Sequence, residues 1–377
     1  MDVIGVIAEY NPFHNGHLYQ INKIKEMFPN STIVAIITGY FSQRGDSSLI
    51  NKWDKCEIAI KNGVDLVVEL PFKYSVQSAD TFAYAAIKLL NELKINYLVF
   101  GSESNNVEKL KITAKAQLSE TYQNLIKEEL KKGINYPTAL NNALLSITKE
   151  KIDTPNDILA LSYIREIIKQ KANITPISIK RTNNYHDINL NDTVTSASSI
   201  RENILKKDIT KYIPNNSVNY LKTNLSFIEN YFPYLKYKII SEIDSLDKYL
   251  DVDEGIENKI KKVIYKSNSL DELINNTKSK RYTYSKLKRM YIHILTSFTK
   301  EENENKALDY IRILGFNSKG QKYLNKIKKE INIDVYTKFN KNLEYELKIA
   351  NIYSIIFDNK YKDEIIKKEI TGLIKLT

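Results

Sequence analysis

Over the first hundred positions, short β-branched apolar runs alternate with longer amphipathic stretches. This is the rhythm of a βαβ series rather than of hairpins. The runs predict strands at residues 3–8 (VIGVIA), 32–38 (TIVAIIT), 65–69 (DLVVE) and 97–100 (YLVF), with helices over residues 17–28, 52–62 and 78–93. Each strand is apolar on both faces, as in a parallel sheet covered by helices on both sides, and in such sheets ligands bind at the C-terminal ends of the strands. Residues 106–170 read as helical through YPTALNNALL and PNDILALSYIREIIK; a further strand follows at 174–179, and a helix opens at SASSIRENIL. Past about residue 206 the pattern becomes Lys, Asn, Ile and Leu-rich helix without a convincing βαβ unit. The expected fold is therefore α/β: a Rossmann-like parallel-sheet domain over 1–205 with a helical insert near 106–170, then a mainly helical domain over 206–377.

Composition sets the class. The chain has 377 residues, 42% of them hydrophobic and 27% charged, enough apolar material for two or three globular domains. No apolar run approaches the roughly 20 residues of a membrane span, and MDVIGVIAEY has no charged leader, so a cytoplasmic protein without a membrane partner is expected. The single cysteine, Cys56, can form neither an internal disulfide nor a thiolate zinc cluster.

Charge is distributed unevenly. Residues 1–200 carry 22 basic and 21 acidic side chains, a balance of +1, and residues 201–377 carry 34 and 24, a balance of +10. A Lys-rich solvated helical surface would explain the second half, and so would a polyanion partner whose counterions are released on binding. The segment KSKRYTYSKLKRMY sharpens the second reading, because Lys280, Arg281, Lys288 and Arg289 interleave with Tyr282, Tyr284 and Tyr291. Cations beside stacking rings suit RNA.

The chemistry-bearing residues follow the first strand. In EYNPFHNGH, His14 and His17 are three positions apart, which places both imidazoles on one side of a helix N-terminus. That terminus presents unpaired N–H groups and positive potential, so a phosphate there meets backbone donors and two imidazoles together, and Gly16 lets the nucleotide approach the backbone. A metal site would need a third ligand. His186 and His293 are remote in sequence and no HExxH or Cys/His spacing occurs, so no metal site is expected.

HNGH resembles the HxGH signature of the class I aminoacyl-tRNA synthetase and nucleotidyltransferase superfamily, the HIGH superfamily. Its second signature, S-S-T-x-I-R, is matched by Ser196-Ala197-Ser198-Ser199-Ile200-Arg201, with Ala197 for the middle serine and Ser198 for threonine. A plain helix N-cap at Ser196 or Ser198 is the other reading of these hydroxyls. Taken together, IAEYNPFHNGHLYQ, GYFSQRGD, DLVVELPF, FGSES, TPNDILALSYI, ISIKR, YFPYLKY and KRYTYSKLKR resemble the bacterial tRNA(Met) cytidine acetate ligase family, in order from residue 2 to about 290.

The resemblance implies activation of acetate by ATP to acetyl-adenylate, then acetylation of the wobble cytidine of elongator tRNA(Met). It implies catalytic histidines at His14 and His17. It places the ATP loop over Ile7, Ala8, Glu9, Tyr10, Asn11, Pro12, Phe13, His14, Asn15, Gly16, His17, Leu18, Tyr19 and Gln20, with further ATP contacts at Gly101, Asn156 and Arg181 and the phosphates on Ser196, Ser198 and Arg201. An ordinary turn glycine is the other reading of Gly101, and a cap of the helix after Pro155 the other reading of Asn156. Arg44 and Asp46 of GYFSQRGD are assigned to the substrate side, where the family's Glu-Pro-Ala is replaced by Asp46-Ser47-Ser48. Lys280, Arg281, Lys288 and Arg289 are the expected tRNA contacts. Mg²⁺ is expected with ATP, carried by the triphosphate because no clustered carboxylates would fix it, and no obligate protein partner is evident. The competing enzyme is a nucleotidyltransferase adenylylating a small phosphorylated metabolite, which would need no large basic domain. A non-catalytic RNA-binding relative is the competing reading of another class.

Overall fold

The computed structural model describes residues 2–148, 152–181, 195–279, 281–304 and 307–377. Its strands are β1 (Val3–Ala8), β2 (Thr32–Thr38), β3 (Leu66–Leu70), β4 (Tyr97–Ser102), β5 (Thr175–Lys180), β6 (Tyr310–Asn317), β7 (Asp334–Tyr336) and β8 (Ile374–Leu376). They join in one sheet of order β5-β4-β1-β2-β3-β6-β7, with β8 also paired to β6. The β5-β4-β1-β2-β3 part is parallel throughout, as the apolar runs predict. Side chains alternate between two cores: Val34 and Ile36 of β2 pack on one face, Ile33, Ala35 and Ile37 on the other.

Crossover helices cover those faces. They are α1 (Asn15–Met27), α2 (Lys52–Lys61), the short α3 (Phe72–Ser75) and α4 (Ala79–Glu92). Asn51 caps α2 by accepting from the N–H groups of Trp53 and Asp54, and Ser78 caps α4 by accepting from Thr81 N–H. The helical insert resolves into α5 (Val107–Gln117), α6 (Glu120–Lys131), α7 (Tyr136–Thr148) and α8 (Pro155–Lys169), and α9 (Ala197–Asn203) begins where SASSIR predicted a helix.

After a stretch of 3₁₀ turns come α10 (Phe232–Ser241), α11 (Ile256–Val263), α12 (Leu270–Thr277) and α13 (Tyr284–Thr296), which share a core of their own built on Leu235, Ile239, Ile260, Leu273, Leu287 and Met290. The helical expectation falls short beyond this unit. After α14 (Lys300–Glu304), β6 returns to the sheet antiparallel to β3, with Val67 opposite Gly315, and α15 (Ser318–Ile327), α16 (Glu344–Ser354) and α17 (Asn359–Thr371) surround it. In YIRILGFN, Arg312 reads as a polar interruption of an apolar run. In the fold its guanidinium is buried, and Nη2 donates to the Glu369 carbonyl at 2.9 Å.

Arg312 belongs to a buried charge cluster that clamps this returning segment. Lys52 Nζ lies 2.8 Å from both carboxylate oxygens of Glu69 and 2.9 Å from Glu369 Oε1, which also accepts from Trp53 Nε1 at 3.0 Å. No described helix is long and apolar enough to cross a membrane.

Candidate active site

The turn between β1 and α1 carries the two histidines, and its backbone fixes their chemistry. His14 is the N-cap of α1: its Nδ1 accepts from Gly16 N–H at 3.0 Å, while His17 Nδ1 accepts from His14 N–H at 3.2 Å. With Nδ1 occupied as an acceptor on both rings, each neutral imidazole carries its proton on Nε2 and donates from there. The rings stack with centroids 3.8 Å apart, and Tyr10 and Phe13 close around His17 at 4.9 and 5.4 Å. Burial, followed by the charges of Arg181 and Arg201, pulls the His14 imidazole down to about 3. Burial, His14 and Arg181 push His17 in the same direction.

Both rings line a cavity of about 430 Å³ at the C-terminal ends of β1, β4 and β5. Arg44, Arg181 and Arg201 supply cationic walls, and Glu9 and Asp46 are the acidic groups. Arg181 Nε is buried and has no hydrogen-bond partner among the described residues. Arg201 Nη1 donates to the Asn11 carbonyl at 2.7 Å, and its Nη2 lies 3.3 Å from both Asp46 Oδ2 and Ser198 Oγ. Such an arrangement suits a polyphosphate, with neutral N–H donors at one point and guanidinium charge around it.

The sequence left several of these roles open. Gly101 is not a turn glycine: it sits within β4 opposite Ile179, and a Cβ there would meet Arg181 Cγ at 3.2 Å. Asn156 does not cap α8. Thr154 holds the N-cap position, and Asn156 Nδ2 donates to Glu103 Oε1 at 2.5 Å on the cavity wall. Glu103 also accepts from Asp157 N–H at 3.2 Å, so the FGSES and TPND segments are bonded to each other. Ser196 is the N-cap of α9, accepting from Ser199 N–H at 3.1 Å, and it lines the cavity as well.

Of the predicted loop, Ile7, Ala8, Glu9, Tyr10, Asn11, Gly16, Tyr19 and Gln20 line the cavity beside the histidines, whereas Pro12, Phe13, Asn15 and Leu18 are absent from its wall. Phe13 and Leu18 instead pack into the hydrophobic core. The fold adds walls that sequence reasoning missed: Gln43 from the loop after β2, Lys180 from the end of β5, and Phe82, Leu159 and Tyr163 from helices, where their spacing reads as ordinary core. It also reveals Lys55, whose buried Nζ donates to the carbonyls of Glu9, Thr38 and Gly39 at 3.1, 2.7 and 2.8 Å, tying the ends of β1 and β2 together. Burial lowers this ammonium to about 7.

A family model for HIGH nucleotidyl transferases matches residues 1–368. The chain is 39% identical over 387 aligned residues to a tRNA(Met) cytidine acetate ligase of Clostridium novyi, covering 96% of each chain. It is 40% identical to the one of Caldicellulosiruptor bescii, covering 96% of this chain and 95% of that one. The chain belongs to the tRNA(Met) cytidine acetate ligase family. In structure it is similar to Thermotoga maritima TmcAL, with a TM-score of 0.92 at 28% identity over the whole of both chains for the apo form. The form of that protein bound with alpha-thio ATP gives 0.90 at 29% identity, again over the whole of both chains.

In this tRNA(Met) cytidine acetate ligase family member the helical unit packs against the loop that carries Arg44 and Asp46 of the cavity wall. Gly45 has φ +80°, and a Cβ there would lie 2.6 Å from Lys288 Cβ and 2.7 Å from the Arg289 backbone N. Beside it Asp46 is ion-paired to both Arg201 and Lys288. The basic segment is therefore divided. Arg281 is exposed and pairs with Glu254 at 3.3 Å, Lys288 reaches inward to Asp46, and Arg289 Nε is buried without a partner among the described residues. Lys280 and His186 lie outside the described residues. Tyr282 and Tyr291 do not form the expected stacking platform. They are buried: helical periodicity turns Tyr291 of α13 into the core, where it bonds Thr277, and Tyr282, ahead of that helix, packs into the same core and donates to the Asp253 carbonyl. Tyr284 keeps an exposed ring.

Proposed function

We propose that the chain joins acetate to the wobble cytidine of elongator tRNA(Met) at the expense of ATP, by way of acetyl-adenylate. The observation that carries this reading is the stacked pair of Nε2–H imidazoles at the start of α1, facing a cavity walled by Arg44, Arg181 and Arg201.

In the first step an acetate oxygen attacks the α-phosphorus, the bond to the β-phosphate breaks, and pyrophosphate leaves with its electron pair. The transition state spreads charge over phosphoryl oxygens, and preorganised donors in a dry site are the means by which such a state is stabilised. His14 and His17 donate to the α-phosphate region. Arg181, Arg201 and Ser198 hold the phosphates, while Gly101 and Asn156 take the nucleoside side. In the second step the exocyclic amine of cytidine attacks the anhydride carbonyl, loses a proton and expels AMP.

Among the described residues no group of three or more His, Cys, Asp or Glu is placed to hold a metal ion, and Mg²⁺ is proposed to enter on the triphosphate. Of the basic segment, the exposed Arg281 is proposed to meet the tRNA backbone, in a cytoplasmic setting. The test is pyrophosphate release from ATP and acetate, with and without tRNA, followed by detection of acetylcytidine. Release without tRNA, and acetylcytidine with it, are expected. AMP attached to a phosphorylated metabolite, with tRNA unchanged, would reject the reading.

A further inference from the structure

The cavity has a second end, on the other face of the sheet from the phosphate-binding groups. Ile200 of α9 and Ile21 and Ile24 of α1 pack into one core, so the histidines and Arg201 belong to elements on that face. Phe82 of α4, Phe100 of β4 and Tyr163 of α8 belong to the opposite core, yet all three also line the cavity, joined by the half-buried Leu159. Phe100 and Tyr163 have ring centroids 6.4 Å apart.

Within this apolar end Tyr163 brings a hydroxyl. Tyr163 is 5% exposed, and its side chain lines the cavity. A phenol on an otherwise apolar cavity wall offers a hydrogen-bond donor to the polar atom of a ligand. Burial and the nearby Glu9 carboxylate raise this phenol, so it keeps its proton and acts as a donor. Arg44 is on the same cavity and feels both Glu9 and Asp46.

We infer that Phe82, Phe100, Leu159 and Tyr163 form the acyl pocket, which selects a short-chain monocarboxylic acid. The inference rests on the ligase reading above and adds to it the site that sets the acid's length. In-line displacement requires the acid oxygen to enter opposite the departing pyrophosphate. With the pyrophosphate held from the α9 side, the opposite approach runs along the Phe82, Phe100 and Tyr163 wall. One carboxylate oxygen accepts from the Tyr163 hydroxyl, Arg44 offsets the charge, and the other oxygen forms the new bond to phosphorus. The methyl group meets Phe82 and Leu159. The acid arrives ionised, so no proton moves in this step.

The test is ATP–pyrophosphate exchange without tRNA, driven in turn by acetate, propionate and butyrate. Leu159→Ala removes bulk at a half-buried position, and Tyr163→Phe removes only the hydroxyl. One methylene in an apolar pocket changes kcat/KM by about ten- to two-hundredfold, so Leu159→Ala is expected to raise the propionate-to-acetate ratio at least about tenfold. Tyr163→Phe is expected to raise KM for acetate about tenfold, with KM for ATP unchanged. An acid ratio unmoved by Leu159→Ala, or effects of both variants falling on KM for ATP or on transfer to tRNA alone, would overturn the pocket and leave the ligase reading in place. No exchange by the unaltered protein with any acid would overturn both.

Discussion

Lowering the pH from 7.5 to 5 should leave the stacked histidines of the unliganded protein uncharged. An ordinary imidazole, titrating near 6.5, is about 97% protonated at pH 5, whereas one at about 3, as for His14, is only about 1% protonated. The cause is burial first, then two guanidinium groups, and the Nδ1 lone pair of each ring is already engaged by a backbone N–H. The direction of the linkage follows. Folding holds the imidazole neutral, so the unfolded chain binds the proton more tightly, and stability present above pH 6.5 is lost as pH falls below it. For His14 the loss between pH 7.5 and 5 is about 2 kcal/mol, and His17 contributes in the same direction. Selective labelling of the four histidines for NMR, with His14→Asn and His17→Asn for assignment, reads this directly. Two resonances should stay at neutral-ring shifts down to pH 5, and bound ATP, by adding negative charge, should move both titrations upward. Ordinary titration near 6.5 for either ring in the free protein would refute the reasoning.

Other perturbations test other joints of the structure. Arg201→Met removes the 2.7 Å bond to the Asn11 carbonyl together with the phosphate-side charge. At about 1.5–3 kcal/mol for a charged hydrogen bond, kcat/KM for ATP in the exchange assay should fall between about tenfold and a hundredfold, with little recovery in Arg201→Lys. Lys52→Met leaves Glu69 and Glu369 buried without their shared cation and should destabilise the fold by about 3–5 kcal/mol, seen as an early denaturant transition. Gly45→Ala combines a left-handed backbone angle with a 2.6 Å approach to Lys288, so it should raise KM for ATP and for tRNA together, measured separately in exchange and transfer assays.

The histidine end of the candidate site was legible because its chemistry is local. The spacing of His14 and His17 fixes their side of α1, and strand ends place Gly101 and Arg181 on the ligand edge. What the sequence hid depends on contacts far apart along the chain. Nothing local marks Tyr163 or Phe82 as cavity walls, since each sits at a core-like helical position until β4 and α8 are brought together. Arg312 hid β6 for the same reason: a buried arginine looks like a break in an apolar run until its partner Glu369, on α17, is in place. The basic segment erred the other way. Tyr282 and Tyr291 look like exposed stacking rings until the helical core claims them, and Lys288 looks like a free cation until Asp46 is beside it.

A crystal structure with a non-hydrolysable ATP analogue tests the central claim most directly. The account predicts phosphate oxygens within hydrogen-bonding reach, about 3 Å, of Nε2 on both His14 and His17, with Arg201 on the terminal phosphates. An analogue bound with its phosphates away from that ring pair, the imidazoles unengaged, would contradict it.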